Sequence, residues 1–230
     1  LLMMAIQTAV KVTEKYIRQA GLSANFGYVD QSNQSGDAQA KLDVISNEVF
    51  KMNLVTTGRI FVMGSEEEDH GVIAPPGQRG CYLICFDPLD GSSNIDANVS
   101  VGSIWGIWKV DPSAYNTTSP EDITYILLQQ GSKMVSSGYA MFGSATNLVM
   151  TAGNGVQGFT LDASIGEFVQ THFDMKIGKK KIYSVNEGNY ARWEPWFRDY
   201  VNHVKNLPKP YTARYIGSMV ADDLKEAMAP

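Results

Sequence analysis

Two aspartates and a proline lie within residues 87–90, directly after an almost wholly apolar run at residues 81–86. Carboxylate oxygens are hard ligands of the kind that Mg²⁺ and Mn²⁺ prefer. Because Pro88 fixes its φ, the carboxylates of Asp87 and Asp90 can converge on one point, where the Leu89 carbonyl can supply a further oxygen. The segment predicts a divalent-metal site, with an ordinary Asp-Pro turn as the alternative.

A Gly-Ser-Ser-Asn sequence follows at residues 91–94. Gly91 lets a ligand approach the backbone closely because it has no Cβ. The N–H groups and hydroxyls of Ser92 and Ser93 can then receive phosphate oxygens. These residues predict a phosphate cradle beside the metal, with a solvated loop as the alternative.

A second acidic cluster occupies residues 66–69, after a strand predicted at residues 59–63. On its own, such a run of acids is more typical of a solvated loop. Beside the first cluster, we assign Glu66 and Glu67 to the site and expect Glu68 and Asp69 to be solvated. Two strand ends would then bring carboxylates to one place.

A third group of acids surrounds the start of an amphipathic helix predicted at residues 41–55. Asp43 lies in the first turn of that helix, where it could belong to the site or simply interact with the helix dipole. Asp37 lies in the polar stretch before the helix and could belong to the site, cap the helix or remain solvated.

The elements that must position these groups are predicted from hydrophobic periodicity and breaker residues. The run at residues 81–86 is predicted to be a buried strand that opens into a loop at Asp87. Further strands are predicted at residues 99–110, 133–142, 146–151, 158–161 and 181–185. Helices are predicted at residues 1–20, 41–55 and 193–204, and a surface loop at 111–120.

The composition describes a soluble protein that can bury a sizeable core, with 230 residues of which 44% are hydrophobic. The formal charge of −5 argues against nucleic acid as a partner. No apolar stretch approaches the roughly 20 residues that a membrane-spanning helix needs. We expect a cytoplasmic location, with an organelle as the alternative.

Taken together, these segments resemble fructose-1,6-bisphosphatase, within the wider family of metal-dependent, lithium-sensitive sugar and inositol phosphatases. The resemblance extends over nearly the whole chain. The matching strings lie at residues 35–44, 65–67, 86–96, 138–146, 184–189 and 213–222. Sedoheptulose-1,7-bisphosphatase is the near neighbour.

The resemblance implies roles for the acidic residues and the cradle. The metal ligands would be Glu66, Asp87, Asp90 and the carbonyl of Leu89. Asp43 and Glu67 would activate the attacking water, and Asp37 would support a further metal from a mobile loop. Asp90, Gly91, Ser92 and Ser93 would hold the end of the substrate that carries the 1-phosphate. The metal would be Mg²⁺, with Mn²⁺ or Zn²⁺ as alternatives.

The resemblance places the 6-phosphate near the carboxyl end of the chain. Asn186, Tyr215 and an Arg214 reaching across from a neighbouring subunit would hold it, and either Asn189 or Tyr190 would take the remaining position. Gly217 and Ser218, before Met219, read as a helix start, which favours phosphate. We include these residues among the substrate-binding groups.

The fold that the resemblance implies is α/β, with layers in the order α/β/α/β/α. Residues 1–175 would form an amino-terminal, regulatory-type domain that carries most metal ligands, and residues 176–230 a carboxyl-terminal sugar-phosphate domain. In the family, a further Glu and a Lys follow the last matching string. The sequence ends at Pro230 without counterparts to them, so we expect this second domain to be incomplete.

The implied function is Mg²⁺-dependent hydrolysis of the 1-phosphate of fructose 1,6-bisphosphate, a step of gluconeogenesis, by a homotetramer. AMP regulation of this allosteric enzyme family is not supported by the residues of this chain. Three alternatives stay open: a sedoheptulose-1,7-bisphosphatase, an inositol-phosphatase relative, or a non-catalytic fragment that still binds sugar phosphate.

Overall fold

The computed structural model describes residues 1–20, 22, 28–32, 38–115, 117, 119–178 and 180–222, and only the backbone for 28–32 and 38–40. The helices are α1 (Leu2–Arg18), α2 (Lys41–Val55), α3 (Pro120–Leu127) and α4 (Pro195–Lys205). The first strands are β1 (Tyr28–Ser32), β2 (Ala38–Ala40), β3 (Ile60–Ser65), β4 (Val72–Ile73), β5 (Tyr82–Asp90) and β6 (Val101–Lys109). The later strands are β7 (Met134–Phe142), β8 (Thr146–Thr151), β9 (Val156–Asp162), β10 (Glu167–His172), β11 (Ile182–Tyr183) and β12 (Thr212–Ala213).

An eight-stranded sheet organises most of the chain, in the order β10-β9-β8-β7-β6-β5-β3-β4. All neighbours in it are antiparallel except β3 and β5, which run parallel. Parallel neighbours end at the same edge of a sheet, so the carboxyl ends of β3 and β5 lie side by side. The acidic residues at the end of β5 and directly after β3 therefore meet.

Helices α1 and α2 cover one face of this sheet. Phe50 of α2 is fully buried and stacks on Phe86 of β5, with ring centroids 5.4 Å apart. Helix α3 packs on the opposite face, where Ile126 joins a cluster with Leu83 and Trp108. Leu83 and its neighbour Ile84 belong to different clusters because successive strand side chains point to opposite faces.

A smaller unit follows the large sheet. Strands β11 and β12 pair in parallel, and α4 lies between them in sequence. Val201 and Val204 are the buried residues of α4. Within the described residues, none of the helices combines the length and apolarity that crossing a membrane requires.

The α/β class predicted from the sequence is confirmed, with helices on both faces of a mixed sheet. The helix predicted at residues 41–55 has those bounds, and the strand predicted at 146–151 does too. The sequence analysis missed α3 and five strands, namely β1, β2, β4, β10 and β12. For α3 a signal was present, because Ser119 caps the helix by accepting from the Asp122 N–H at 3.1 Å and Pro120 follows it.

The prediction that β5 opens into a loop at Asp87 is wrong, because the strand continues to Asp90. Its pairing with β6 is regular through Asp87 and irregular between Asp87 and Asp90. Pro88 has no N–H to give to a ladder, and its carbonyl instead accepts a 2.7 Å hydrogen bond from Ser103 Oγ on β6. The metal-ligand candidates therefore lie on an irregular strand end that β6 supports.

Candidate active site

Glu66 and Asp87 meet where β3 and β5 end. The Glu66 N–H donates to the Phe86 carbonyl at 3.2 Å, which joins the two strand ends. The two carboxyl groups share a hydrogen bond, and the Leu89 N–H donates to Asp87 Oδ1 at 2.8 Å. Burial of Asp87, reinforced by the hydrogen bond and charge of Glu66, raises its pKa to about 9. The Asp87–Glu66 pair therefore favours keeping one proton at neutral pH when no cation is bound.

A pair of carboxyl groups that must share a proton fits a divalent cation, because a cation can replace the proton and let both groups ionise. Oxygen donors of this kind suit Mg²⁺ or Mn²⁺. In the part of the chain that the structure describes, no three or more His, Cys, Asp or Glu side chains are arranged as a ready-made metal site. The donor chemistry thus fits a metal, and the assignment of particular ligands stays a prediction.

Asp90 is held by the segment around residue 218. Its Oδ2 accepts hydrogen bonds from Ser218 Oγ at 2.6 Å and from the Val220 N–H at 3.0 Å. Helical backbone begins at Met219, as the sequence predicted, and Ser218 is 1% exposed. The carboxylate of Asp90 therefore caps this helix start, so one N–H group of the helix start that was predicted to favour phosphate is donated to Asp90 here.

The backbone of Gly91 packs closely against Ser218. Its φ is +76°, a left-handed conformation that favours glycine, and a Cβ there would lie 2.7 Å from Ser218 Cβ. Asn94 adds a second link, because its Nδ2 donates to the Ile216 carbonyl at 3.1 Å. The segment at 90–94 and the segment at 216–220 are thus packed directly on each other.

Asp43 contacts the predicted phosphate cradle. It lies in the first turn of α2, as predicted, is 3% exposed, and its Oδ2 accepts a 3.1 Å hydrogen bond from Ser92 Oγ. Ser92 and Ser93 begin a short 3₁₀ helix at 92–97 after Gly91. The structure therefore brings together one acid that was assigned to water activation and one hydroxyl that was assigned to phosphate.

The turn that carries Glu66 and Glu67 is tied to α2 by a network that the sequence analysis missed. The Glu67 N–H donates to Ser65 Oγ at 3.3 Å, and Ser65 Oγ donates to Asn47 Oδ1 at 2.8 Å. The Asn47 Nδ2 donates to Glu68 Oε1 at 2.7 Å, and Lys51 binds the same oxygen at 2.6 Å. Glu68 was expected to be solvated, but it is ion-paired and partly buried.

Glu48 and Glu68 raise the pKa of Lys51. Burial alone would lower the pKa of Lys51, but hydrogen bonds to Glu48 and Glu68, with their charges, raise it above its ordinary value. Lys51 therefore stays cationic and completes the network.

The residues predicted to hold the 6-phosphate lie on the smaller unit and are exposed. The Asn186 side chain accepts from the Gly188 N–H at 3.0 Å, and Tyr190 OH accepts from Asn202 Nδ2 at 2.8 Å. Tyr215 is 54% exposed, and Arg214 is exposed as well. The choice between Asn189 and Tyr190 stays open. Met219 is exposed, and Asp37 lies outside the described residues.

Comparison with known proteins matches the chain to two family models. The model described as "Fructose-1-6-bisphosphatase, N-terminal domain" matches residues 1–173, and "Fructose-1-6-bisphosphatase, C-terminal domain" matches residues 177–228.

Among curated proteins, the chain is similar to two plant enzymes, each named "Fructose-1,6-bisphosphatase, cytosolic". It is 47% identical over 227 residues to that of Oryza coarctata and 48% identical over 227 residues to that of Oryza sativa subsp. indica. Each alignment covers 96% of this chain, but the chain spans only 64–65% of the length of these relatives.

Among solved structures, the chain is similar to Leishmania major fructose-1,6-bisphosphatase in its holo form. The sequence identity is 58% and the TM-score is 0.90, over 96% of this chain and 68% of that one. A structure of the same enzyme in a T-state matches with a TM-score of 0.83 and 56% identity, over 96% of this chain and 67% of that one.

Proposed function

The chain belongs to the fructose-1,6-bisphosphatase family, and from this premise we propose that its protein hydrolyses the 1-phosphate of fructose 1,6-bisphosphate. The products are fructose 6-phosphate and phosphate. The observation that carries the proposal is the meeting of Glu66 and Asp87 near the ends of the neighbouring parallel strands β3 and β5, at the sheet edge that continues into the Gly91–Ser93 cradle. Similarity to enzymes named for this activity supports it.

In this proposal the reaction divides among residues around that edge. Asp87, Glu66 and Asp90, with the Leu89 carbonyl, would hold the metal, which would be Mg²⁺ with Mn²⁺ or Zn²⁺ as substitutes. When bound, the metal neutralises charge on the phosphoryl oxygens and makes water more acidic.

Asp43 and Glu67 accept the proton of the attacking water, while Gly91, Ser92 and Ser93 orient the 1-phosphate. Asp43 also accepts from Ser92 Oγ, which links the base to the cradle that aligns the phosphoryl group. The contact supports in-line attack because Asp43, which would orient the water, and Ser92, which would orient the phosphoryl group, are held next to each other.

The sugar and its 6-phosphate bind on the smaller unit. Asn186, Tyr190, Arg214 and Tyr215 hold the 6-phosphate, and Gly217, Ser218 and Met219 line the sugar beside Asp90. Support comes from the 2.6 Å bond between Ser218 and Asp90, which connects this segment to the metal side. Residues 1–175 form the amino-terminal domain in this proposal, and residues 176–230 belong to the sugar-phosphate domain.

The assembly proposed is a cytoplasmic homotetramer in which Arg214 serves a neighbouring active site. The exposed position of Arg214 supports this, and the plant relatives are named cytosolic. Sedimentation analysis tests the tetramer, since a species near four times 25.3 kDa is expected. AMP is not proposed as a regulator from the residues of this chain.

Phosphate release from fructose 1,6-bisphosphate tests the activity, measured with and without Mg²⁺. Release that requires the metal is expected. Asp87→Asn should lower the rate by more than about a hundredfold, because loss of a residue that only supports a metal ligand already lowers activity by up to about a hundredfold. Asp162→Asn, on an exposed aspartate of the β9–β10 hairpin, is the matched control and should leave the rate unchanged.

Faster release from sedoheptulose 1,7-bisphosphate or an inositol phosphate would replace the proposed substrate. Absence of release by a folded chain that still binds the bisphosphate would contradict turnover by these 230 residues.

A further inference from the structure

The acidic turn that follows β3 is hydrogen-bonded to α2 at two points. Ser65, the last residue of β3, donates to Asn47 Oδ1 at 2.8 Å. Glu68, three residues later, accepts from Asn47 Nδ2 at 2.7 Å. The residues between these two points are Glu66 and Glu67, the acids assigned to metal binding and water activation.

We propose that Asn47 is a positioning residue for the Glu66–Glu67 turn, an inference that rests on the proposed function. Its amide ties Ser65 and Glu68 to α2, and the turn between them is held so that Glu66 reaches Asp87. Asn47 touches neither substrate nor metal in this proposal. It acts through the backbone of the two acids.

The direction of the hydrogen bonds explains why an asparagine suits this position. Asn47 accepts at Oδ1 and donates at Nδ2, so one planar group serves a hydroxyl on one side and a carboxylate on the other. An aspartate could still accept from Ser65 but would meet Glu68 with a like charge. An alanine would leave both partners without the amide.

Burial makes the network strong enough to act as a clamp. Asn47 is 5% exposed and Ser65 is 8% exposed, so water is largely excluded from their contact. A hydrogen bond in such surroundings is electrostatically stronger than in water, and a satisfied buried network rigidifies what it connects. Lys51 supports the far end by binding Glu68 at 2.6 Å.

Mutation of a residue that orients metal ligands typically lowers metal affinity or activity by about 10- to 100-fold. Asn47→Ala and Asn47→Asp should therefore lower kcat at least about tenfold, while KM for fructose 1,6-bisphosphate changes less than about twofold. KM should change little because the Gly91–Ser93 cradle, which would bind the substrate phosphate, follows β5 and not β3. Mn²⁺ affinity, measured by electron paramagnetic resonance, should fall with kcat.

Hydrogen exchange supplies a readout that does not depend on turnover. The Glu67 amide donates to Ser65 Oγ, so its exchange should rise at least about fivefold in the Asn47 variants, the factor expected for loss of one net hydrogen bond. The rise should be confined to residues 65–68.

Ser46→Ala is the matched control. Ser46 is the preceding residue of α2, is fully buried, and its hydroxyl has no hydrogen-bond partner among the residues that the structure describes. Removing that hydroxyl should change neither kcat nor the exchange of residues 65–68. Ser65→Ala should reproduce the Asn47 phenotype, because it cuts the same chain of hydrogen bonds at its other member.

Three results separate the inference from the proposed function. If the unaltered chain releases no phosphate, the proposed function fails, and a local rise in exchange at 65–68 with weaker Mn²⁺ binding still supports Asn47 as a positioning residue. If the Asn47 variants keep kcat within about twofold and exchange as before, the inference is overturned. If exchange rises throughout the sheet, Asn47 has only a general structural role, which overturns it too.

Discussion

The two parts of the candidate site differ in how the fold holds them. The proposed metal side, defined as Asp43, Glu66, Glu67, Asp87 and Asp90, lies at strand ends and in the first turn of α2, on elements that contribute to the large buried core. The phosphate side, defined as Asn186, Tyr190, Arg214 and Tyr215, lies on a two-stranded sheet and short turns. Asp43 is 3% exposed and Tyr215 is 54% exposed.

In the proposed function, this difference would separate the residues that carry out the chemistry from the residues that recognise the substrate. Groups that polarise a phosphoryl oxygen must be fixed closely, and a packed sheet edge with hydrogen-bonded neighbours fixes them. Groups that hold a distant phosphate can be arranged when substrate or a neighbouring subunit arrives. The contact between the two sides, at Asp90, Gly91 and Ser218, is then the place where the two requirements meet.

Gly91→Ala should break that contact and have the largest effect on stability. Its φ of +76° strains an alanine, and the new Cβ would lie 2.7 Å from Ser218 Cβ and 3.1 Å from Ser218 Cα. A left-handed residue costs about 1–2 kcal/mol and overpacking about 1–3 kcal/mol, so a loss of about 2–5 kcal/mol is expected. Urea unfolding followed by circular dichroism measures it.

Gly58→Ala is the control that measures only the cost of a left-handed backbone conformation, without a steric clash. Gly58 has a φ of +62° and nothing within 4 Å of the position of a Cβ, so only the conformational cost of about 1–2 kcal/mol applies. Equal losses for the two variants would mean that the packing of Gly91 on Ser218 contributes nothing.

A pH dependence should distinguish the metal side from the rest of the chain. The pKa of Asp87 is about 9 when folded and near 3.8 ordinarily, so above pH 4 the unfolded chain ionises first. The contribution of Asp87 to the free energy of unfolding of the metal-free protein should be fully present below pH 4 and fall as the pH rises towards 9. The slope of this contribution is at most about 1.4 kcal/mol per pH unit, and solvent screening at this half-buried group narrows the pH range over which it applies.

Asp87→Asn should flatten this dependence between pH 5 and 9, and Asp162→Asn should leave it intact. Mg²⁺ at pH 7.5 should raise the unfolding midpoint of the unaltered chain, because a cation that replaces the proton stabilises the folded state. It should not raise that of Asp87→Asn. A steep dependence that persists in Asp87→Asn would show that another group causes it.

The metal side was more accessible to sequence reasoning than its supports were. Glu66 and Asp87 follow apolar strand-like runs, and acids placed after two strand ends were enough to predict that they come together. Asn47 and Ser65 look like ordinary residues of a helix and a strand. Their hydrogen bond joins positions 18 apart and exists only once α2 docks on β3.

The same reasoning explains the other differences between expectation and structure. The bond between Ser218 and Asp90 spans 128 positions, and no local pattern encodes it. The extension of β5 to Asp90 is supported from β6, where the Ser103 hydroxyl donates a hydrogen bond to the Pro88 carbonyl. The start of α3 at Ser119 and Pro120 was a local signal that could have been used.

Ser218→Ala tests the link between the two sides more gently than Gly91→Ala. It removes the 2.6 Å hydrogen bond to Asp90 Oδ2 but leaves the bond from the Val220 N–H. A hydrogen bond to a charged group contributes about 1.5–3 kcal/mol, so a loss of about 1–2 kcal/mol is expected with the second donor in place. Chemical denaturation measures it.

Met219→Ala, at the adjacent exposed position, is the control and should change stability by less than about 0.5 kcal/mol. A Ser218→Ala variant as stable as this control would mean that the hydroxyl does not hold Asp90.

Two lysines that each bind a glutamate give the finest test of the comparison. Lys51 binds Glu68 at 2.6 Å with side chains 22% and 26% exposed, and Lys205 binds Glu187 at 2.5 Å with side chains 38% and 39% exposed. Exposed ion pairs gain little because water and salt screen them, while the Lys51 pair also completes a buried network. Lys51→Met should therefore cost about 1 kcal/mol.

Lys205→Met should leave the denaturation midpoint unchanged within error, in low salt and in 0.5 M NaCl alike. The two methionines keep similar side-chain bulk, so the difference isolates the charge. Because Lys51 supports Glu68 and through it Asn47, Lys51→Met should also raise hydrogen exchange at residues 65–68, and Lys205→Met should not. Equal effects of the two variants on stability and exchange would show that both sides of the site are held equally loosely.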